Sequence, residues 1–144
     1  MLETQSTKPS PSDETVVAEI LRSARTVAVV GISEKVDRDS HRVAKYLKEH
    51  GYQIIPVNPK CREVLGEPCY SDLKSVPVHI DVVDIFRATD AIPGIVDEAI
   101  AVGASSVWMQ LGLSHDEAAE KARKAGLSVV MNRCMKIDHS HLSG

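Results

Sequence analysis

The 144-residue chain has a formal net charge of −3, and 43% of its residues are hydrophobic and 26% charged. This is the composition of an ordinary globular protein, and its slight negative charge offers no attraction for nucleic acid or an anionic membrane. No apolar stretch is as long as a membrane span, which needs about 18 apolar residues. The first residues are polar and lack the apolar core of a secretory signal, so a cytoplasmic location is expected.

The chain starts with a polar segment and then alternates between helical and strand patterns. Residues 1–12 are predicted to form a flexible arm before a single domain of residues 13–144. The predicted helices cover residues 14–24, 40–50, 90–102 and 115–125. The predicted strands cover residues 26–30, 52–57, 80–86, 105–111 and 127–131. This alternation predicts a Rossmann-like, doubly wound α/β fold: a mainly parallel sheet with helices on both faces, in three layers.

Single residues refine this pattern. Pro56 has no N–H for a neighbouring strand, which favours an edge position or the end of its strand. The β-branched strand at residues 80–86 is expected to lie centrally. Ser114 and Glu117 have the spacing of a capping box and predict the start of the last helix. The irregular segment between residues 61 and 77 has a turn signal at 66–68, an expected short strand at 69–70 and an expected helical turn at 71–75.

A polar loop joins the first strand to the second helix. Its Gly31 is followed by Ser33 where a dinucleotide fingerprint has its second glycine, and there is no third glycine. The first N–H groups of a helix have no intrahelical partner and attract phosphate. Lys35, Arg38 and Ser40 add cations and a hydroxyl, so the loop is predicted to bind a diphosphate. The alternative is a solvated loop face.

The end of the second strand indicates the class of nucleotide. An NAD-binding domain has an Asp or Glu there, which binds the ribose hydroxyls. This chain has Asn58, Pro59 and Lys60 instead, and Arg62 follows. Cations without a carboxylate favour a ribose that carries a phosphate, as in coenzyme A or NADP. Pro59 would offer an apolar surface to the base.

Seven segments together resemble a known family: GIS (31–33), SHRVAKYL (40–47), GY (51–52), PVNP (56–59), DVVDIFR (81–87), WMQLG (108–112) and NRCMK (132–136). In this order they resemble the small bacterial and archaeal CoA-binding domain proteins, which are similar to the N-terminal domain of the succinyl-CoA synthetase α subunit. The resemblance implies a Rossmann-like domain that binds coenzyme A through its nucleotide portion. It implies these contacts by position: Gly31, Ser33, Arg38 and Ser40 at the diphosphate, Val57, Asn58, Pro59 and Lys60 at the adenosine and its 3′-phosphate, and Phe86 and Arg87 along the adenine and the pantetheine path.

Two strand ends carry further candidate contacts. Phe86 is the only phenylalanine, and it either stacks on a purine, lines the pantetheine path or caps the core. Gln110 is an amide among apolar residues, and a buried amide needs a hydrogen-bond partner. The candidate partners of Gln110 are a ligand and a neighbouring loop backbone.

The sequence shows no catalytic constellation. Asp81 and Asp84 are three residues apart in one predicted strand, so they point to opposite faces and do not form a carboxylate pair. Four histidines are expected to be solvated: His41, His50, His79 and His115. The phosphorylated histidine of the synthetase lies in another domain, so the resemblance implies no ligase activity. The chain is predicted not to be an enzyme.

The three cysteines indicate neither a disulfide framework nor a metal centre. Cys134, His139 and His141 match no common zinc signature, so no metal site is predicted. Cys61 lies between two cationic residues, which are expected to lower its pKa. A plain reduced thiol is favoured there over a mixed disulfide with coenzyme A.

The sequence thus predicts a non-catalytic or regulatory protein that binds coenzyme A or an acyl-CoA. The alternative is an NADP-binding or acyl-CoA-processing enzyme component whose catalytic groups come from a partner. A third interpretation is an interaction module in which bound coenzyme A changes the affinity for a protein partner. Self-association is left open.

Overall fold

The computed structural model describes residues 13–142, which form one parallel sheet between two layers of helices. The strands are β1 (Thr26–Val30), β2 (Gln53–Val57), β3 (Glu63–Val64), β4 (Glu67–Pro68), β5 (Val82–Ile85), β6 (Ser106–Met109) and β7 (Ser128–Val130). The α-helices are α1 (Asp13–Ser23), α2 (Asp39–Glu49), α3 (Ile92–Ala101), α4 (Asp116–Lys124) and α5 (Met135–Ser140). The sheet has the order β2-β1-β5-β6-β7 with parallel neighbours, and β3 and β4 form a separate hairpin.

The side chains of β1 alternate between two hydrophobic cores. Val27 and Val29 pack in the core formed with α1, α2 and α5, whereas Ala28 and Val30 pack in the core formed with α3 and α4. Strands buried on both faces require helices on both sides. The predicted doubly wound, three-layer α/β fold is confirmed.

The positions of two strands also follow the prediction. β5 is the central strand of the five, and β2, which contains Pro56, is an edge strand. The Pro56 carbonyl accepts a hydrogen bond from Tyr70 N–H on the outer side of β2, at 2.9 Å. The N–H and C=O of a strand residue point to the same side, so the N–H that Pro56 lacks would face the outer edge of the sheet. At this edge, an isolated bridge joins Val57 and Tyr70.

Two local predictions are wrong. α4 is not capped by Ser114: its N-cap is His115, whose Nδ1 accepts a hydrogen bond from Ala118 N–H at 3.1 Å. The expected strand at residues 69–70 is only the isolated bridge at Tyr70. The hairpin strands lie earlier and turn at Leu65 and Gly66, both with positive φ.

The six-residue helix α5 is an element that sequence periodicity did not predict. It buries Met135 completely in the core that contains α1 and α2. A helix this short has no repeating apolar pattern, and it is stabilised by packing rather than by propensity. It has a functional consequence, because it forms one wall of the cleft described below.

Some expectations fall outside the described residues. The predicted arm at residues 1–12 lies there, as do the last two residues of the predicted domain. Among residues 13–142, no helix is both long enough and apolar enough to cross a membrane. The cytoplasmic location stays a prediction.

Candidate functional site

The carboxyl ends of β1, β2 and β5 meet at Gly31. Its N–H donates to the Val57 carbonyl at 2.9 Å, and its φ of +89° is in the left-handed region. A Cβ at this position would lie 2.5 Å from the Phe86 carbonyl oxygen and 2.7 Å from Arg87 Cδ. Only glycine allows these strand ends to approach so closely.

Two side chains of α2 hold the loop that follows Gly31. The Ser33 N–H donates to Ser40 Oγ at 2.9 Å, and His41 Nδ1 lies 3.0 Å from the Ser33 carbonyl, to which it donates as N–H. Ser40 is 6% and His41 7% exposed. The prediction of a solvated His41 is therefore wrong: the ring fixes the loop to the start of α2.

Asn58 ties the second strand end to the same loop. Its Nδ2 donates to the Ile32 carbonyl at 2.8 Å, and its Oδ1 accepts from Lys60 N–H at 2.9 Å. Both ends of the amide are thus occupied within the protein. Asn58 shapes the place where a nucleotide is predicted to bind.

The structure brings the predicted nucleotide residues together around this loop. Gly31, Ser33, Ser40, Val57 and Asn58 are linked by the hydrogen bonds described above. Val57 is itself buried in the core. The other predicted residues near the loop are exposed: Arg38, Pro59, Lys60 and Arg87. Contact between any of them and a ligand stays a prediction.

Beside this loop is a cleft of about 570 Å³ at the carboxyl edge of the sheet. Its lining residues are Asp39, Arg42, Val43, Phe86, Arg87, Ala88, Gln110, Leu111, Leu113, Cys134, Lys136 and Ile137. Of the ten predicted site residues, only Phe86 and Arg87 line it. The predicted nucleotide contacts and the cleft are adjoining parts of one edge, joined where Gly31 meets Phe86 and Arg87.

The cleft combines apolar walls with charged residues. Leu111 is 66% and Ile137 47% exposed, and large apolar side chains left open around a cavity are typical of a surface that binds a ligand or partner. Leu113, Lys136 and Ile137 are among the cleft residues that sequence reasoning missed. The last two lie on α5, so the cleft wall could not be predicted without that helix.

Gln110, which lines the cleft, belongs to a buried polar pair. Gln110, 4% exposed, donates a hydrogen bond from Nε2 to Oδ1 of Asp84, which is completely buried. Burial raises the pKa of Asp84 to about 7, and the Gln110 hydrogen bond only partly opposes this. The amide partner of Gln110 is therefore a carboxyl group, and not the loop backbone considered from the sequence. Asp81 is remote from this pair: its carboxylate accepts from Arg25 and Thr26 N–H before β5 begins.

Arg133 fixes the loop before α5. Its guanidinium donates to both carboxylate oxygens of Asp138, at 2.7 and 3.0 Å, and to Glu14 at 3.1 Å. Its carbonyl accepts from Trp108 Nε1 at 2.8 Å. The side chain therefore joins α5, and with it one wall of the cleft, to α1, while the carbonyl joins the loop before α5 to the sheet.

The expectation that the pKa of Cys61 is lowered is wrong, whereas Cys61 is a free thiol, as favoured from the sequence. Its pKa is raised, first by burial and then by the nearby Glu34 carboxylate, and its thiol is hydrogen-bonded to that of Cys69. Burial, followed by Cys61, raises the pKa of Cys69 to about 11. Both thiols are protonated at neutral pH and are weak nucleophiles.

Within residues 13–142 there is no cluster of three or more His, Cys, Asp or Glu that could hold a metal ion.

Comparisons with known proteins show the family of the chain and agree with its fold. Residues 25–140 match the family model described as a CoA binding domain. The chain is 40% identical over 124 residues to the uncharacterized protein YneT of Bacillus subtilis strain 168, covering 86% of this chain and 92% of YneT. It is 43% identical to a hypothetical protein from Pyrococcus horikoshii OT3 whose structure is solved. The two structures have a TM-score of 0.88, and the match covers 95% of this chain and 99% of the other. The ADP-forming acetate–CoA ligase I of Archaeoglobus fulgidus is 25% identical over 129 residues, covering 83% of this chain but 19% of the ligase.

Proposed function

Since the chain belongs to the CoA-binding domain family, we propose that it binds coenzyme A or an acyl-CoA and performs no chemistry of its own. The nucleotide lies against the loop that follows Gly31 and against the end of β2. The pantetheine arm passes Phe86 and Arg87 into the cleft. The observation that carries this proposal is the direct contact at Gly31, which joins the predicted nucleotide loop to a cleft with apolar walls.

The charges at the strand ends support a phosphorylated ligand. Lys60 is exposed directly after the turn shaped by Asn58, and Arg38 is exposed at the N-terminus of α2. A helix N-terminus with nearby cations favours phosphate groups. We assign Lys60 to the 3′-phosphate of coenzyme A and Arg38 to the diphosphate.

A non-catalytic role is supported by the state of the candidate nucleophiles. The thiols of Cys61 and Cys69 have raised pKa values, and Asp81 and Asp84 occupy separate places. Neither of these two thiols is thus an activated nucleophile with its base, and the two carboxyl groups do not form a catalytic pair.

A second candidate follows from the likeness to the ADP-forming acetate–CoA ligase. In this reading the chain supplies the coenzyme A site to a partner that carries the catalytic groups. A protein partner, self-association and NADP as the ligand stay predictions. A test is to titrate the protein with coenzyme A in the presence and absence of candidate partners isolated with it, and to measure acyl-CoA formation.

The direct test is calorimetric titration of the reduced protein with coenzyme A, dephospho-CoA and NADP. We expect coenzyme A to bind at least about tenfold more tightly than dephospho-CoA, because charge-assisted hydrogen bonds to phosphate are lost with the 3′-phosphate. Lys60→Ala should remove this preference. Lys124→Ala, an exposed lysine at the end of α4, is the control and should retain it. Equal affinities for coenzyme A and dephospho-CoA would refute the assignment of the 3′-phosphate to Lys60, and binding of NADP alone would refute the proposed function.

A further inference from the structure

Asp84 is a carboxyl group in an unusual place. It lies in the central strand β5, completely buried, between Val29 of β1 and Trp108 of β6. Its Oδ1 accepts from Gln110 Nε2, whereas its Oδ2 is the one buried side-chain N or O atom in residues 13–142 without a hydrogen-bond partner. A buried polar group with an incomplete set of partners is costly to folding, so it calls for a functional reason.

The Asp84 side chain determines how Gln110 faces the cleft. Gln110 follows β6 and lines the cleft. Oδ1 of Asp84 accepts a hydrogen bond from Gln110 Nε2, so the NH₂ end of the amide is the end that turns toward Asp84. The carbonyl oxygen Oε1 is the other end of the same planar amide. It is left as the acceptor for a group in the cleft.

The surroundings make this acceptor selective. The large apolar side chains that line the cleft include Phe86, Leu111, Leu113 and Ile137. Among apolar walls, a ligand that reaches Gln110 without a hydrogen-bond donor would leave a buried carbonyl unsatisfied. A ligand with a donor at this point avoids that penalty.

We infer that Gln110 is a specificity-determining residue of the cleft, held by Asp84 so that its carbonyl oxygen accepts a hydrogen bond from an N–H or O–H group on the arm of the bound ligand. This inference rests on the proposed function, since the pantetheine arm of coenzyme A carries amide N–H donors and a hydroxyl. Asp84 is a positioning residue, because it acts on the ligand through the orientation of the Gln110 amide.

The test separates the arm of the ligand from its nucleotide. Coenzyme A and adenosine 3′,5′-bisphosphate, which lacks the arm, are titrated into the wild type and into Gln110→Met, a variant of similar volume without the carbonyl. We expect Gln110→Met to weaken coenzyme A binding about 5- to 30-fold, as for the loss of one buried hydrogen bond. The affinity for the bisphosphate should stay within about twofold.

Two further variants keep the test decisive. Asp84→Leu combined with Gln110→Met replaces both polar partners by apolar groups, which preserves folding better than leaving Asp84 alone, and it should show the same selective loss. Asp84→Asn retains an oxygen that accepts from Gln110 Nε2, so its coenzyme A affinity should stay within about threefold of the wild type. Asp84→Leu alone should reproduce the loss caused by Gln110→Met.

The outcomes are distinct. Unchanged coenzyme A binding by both the single Gln110 variant and the double variant would overturn the inference, as would an equal loss for coenzyme A and the bisphosphate. In either case the proposed function would stand, because the wild type would still bind both ligands. A wild type that binds neither ligand would refute the proposed function itself, and the role of Gln110 with it.

Discussion

Gly31 and Phe86 approach so closely that a single methyl group on Gly31 would lie 2.5 Å from the Phe86 carbonyl oxygen. Phe86 is held in place by its own N–H, which donates to the Val30 carbonyl at 2.9 Å. The two strand ends therefore cannot separate without breaking the sheet. This contact sets the distance between the nucleotide loop and the cleft.

Gly31→Ala should destabilise the protein by about 3 kcal/mol or more, because the new methyl group meets backbone and the residue also has a left-handed φ. Gly126→Ala is the matched control: its φ is +95°, and nothing lies within 4 Å of an added Cβ. It should cost only about 1 kcal/mol. Urea denaturation measures the unfolding free energy of both variants. Equal losses of stability would show that the close contact with Phe86 adds no cost beyond that of the left-handed φ.

Asp84 should make stability depend on pH. Burial raises its pKa in the folded protein to about 7 from an ordinary value of 3.8, so the folded state holds a proton that the unfolded state releases. The proton on Asp84 therefore contributes fully to stability below about pH 4, and this contribution is lost as the pH rises toward 7. Above about pH 7 no further change is expected, and the total change in unfolding free energy is up to about 4 kcal/mol.

Asp84→Asn removes this titration and keeps the shape of the side chain. The measured quantity is the difference in unfolding free energy between Asp84→Asn and the wild type at pH 5 and pH 8. Other groups, such as His139 with its lowered pKa, contribute to both proteins and largely cancel. The difference should shift in favour of Asn as the pH rises; a constant difference would mean that Asp84 does not change its protonation on unfolding.

Asn58→Ala should destabilise the loop after β1, because it removes the hydrogen bonds with the Ile32 carbonyl and with Lys60 N–H. We expect a loss of about 1 to 3 kcal/mol in urea denaturation. Asn58→Asp retains the acceptor for Lys60 but loses the donor to Ile32. If Asn58→Asp loses as much stability as Asn58→Ala, the stabilisation comes from the hydrogen bond to the Ile32 carbonyl. Wild-type stability in both variants would contradict a stabilising role of Asn58.

The start of α4 offers a test of the corrected helix cap. His115→Ala should cost about 1 kcal/mol, since it removes the acceptor for Ala118 N–H, and His115→Asp, a good N-cap residue, should restore stability. Ser114→Ala should be nearly neutral. Thermal unfolding of the three variants decides between the two caps: a larger loss for Ser114→Ala would support the capping box.

The sequence by itself determined the five strands of the sheet, the helices α1 to α4 and their layers. Apolar strands, amphipathic helices and terminal glycines are local patterns, so they predicted the parallel sheet and the loop at Gly31. Pro56 indicated either an edge position or the end of its strand. The family resemblance was also visible in short motifs. Helix bounds were predicted to within one or two residues for α1 and α2.

Only the tertiary structure decided how distant groups meet. The pairing of Asp84 with Gln110 joins residues 26 positions apart, and the raised pKa of Cys61 comes from burial that no neighbouring residue reveals. The helix α5 forms because Met135 fills the core, and the cleft wall follows from it. Burial and long-range contacts depend on how the elements pack, and the local sequence pattern carries no direct record of that packing.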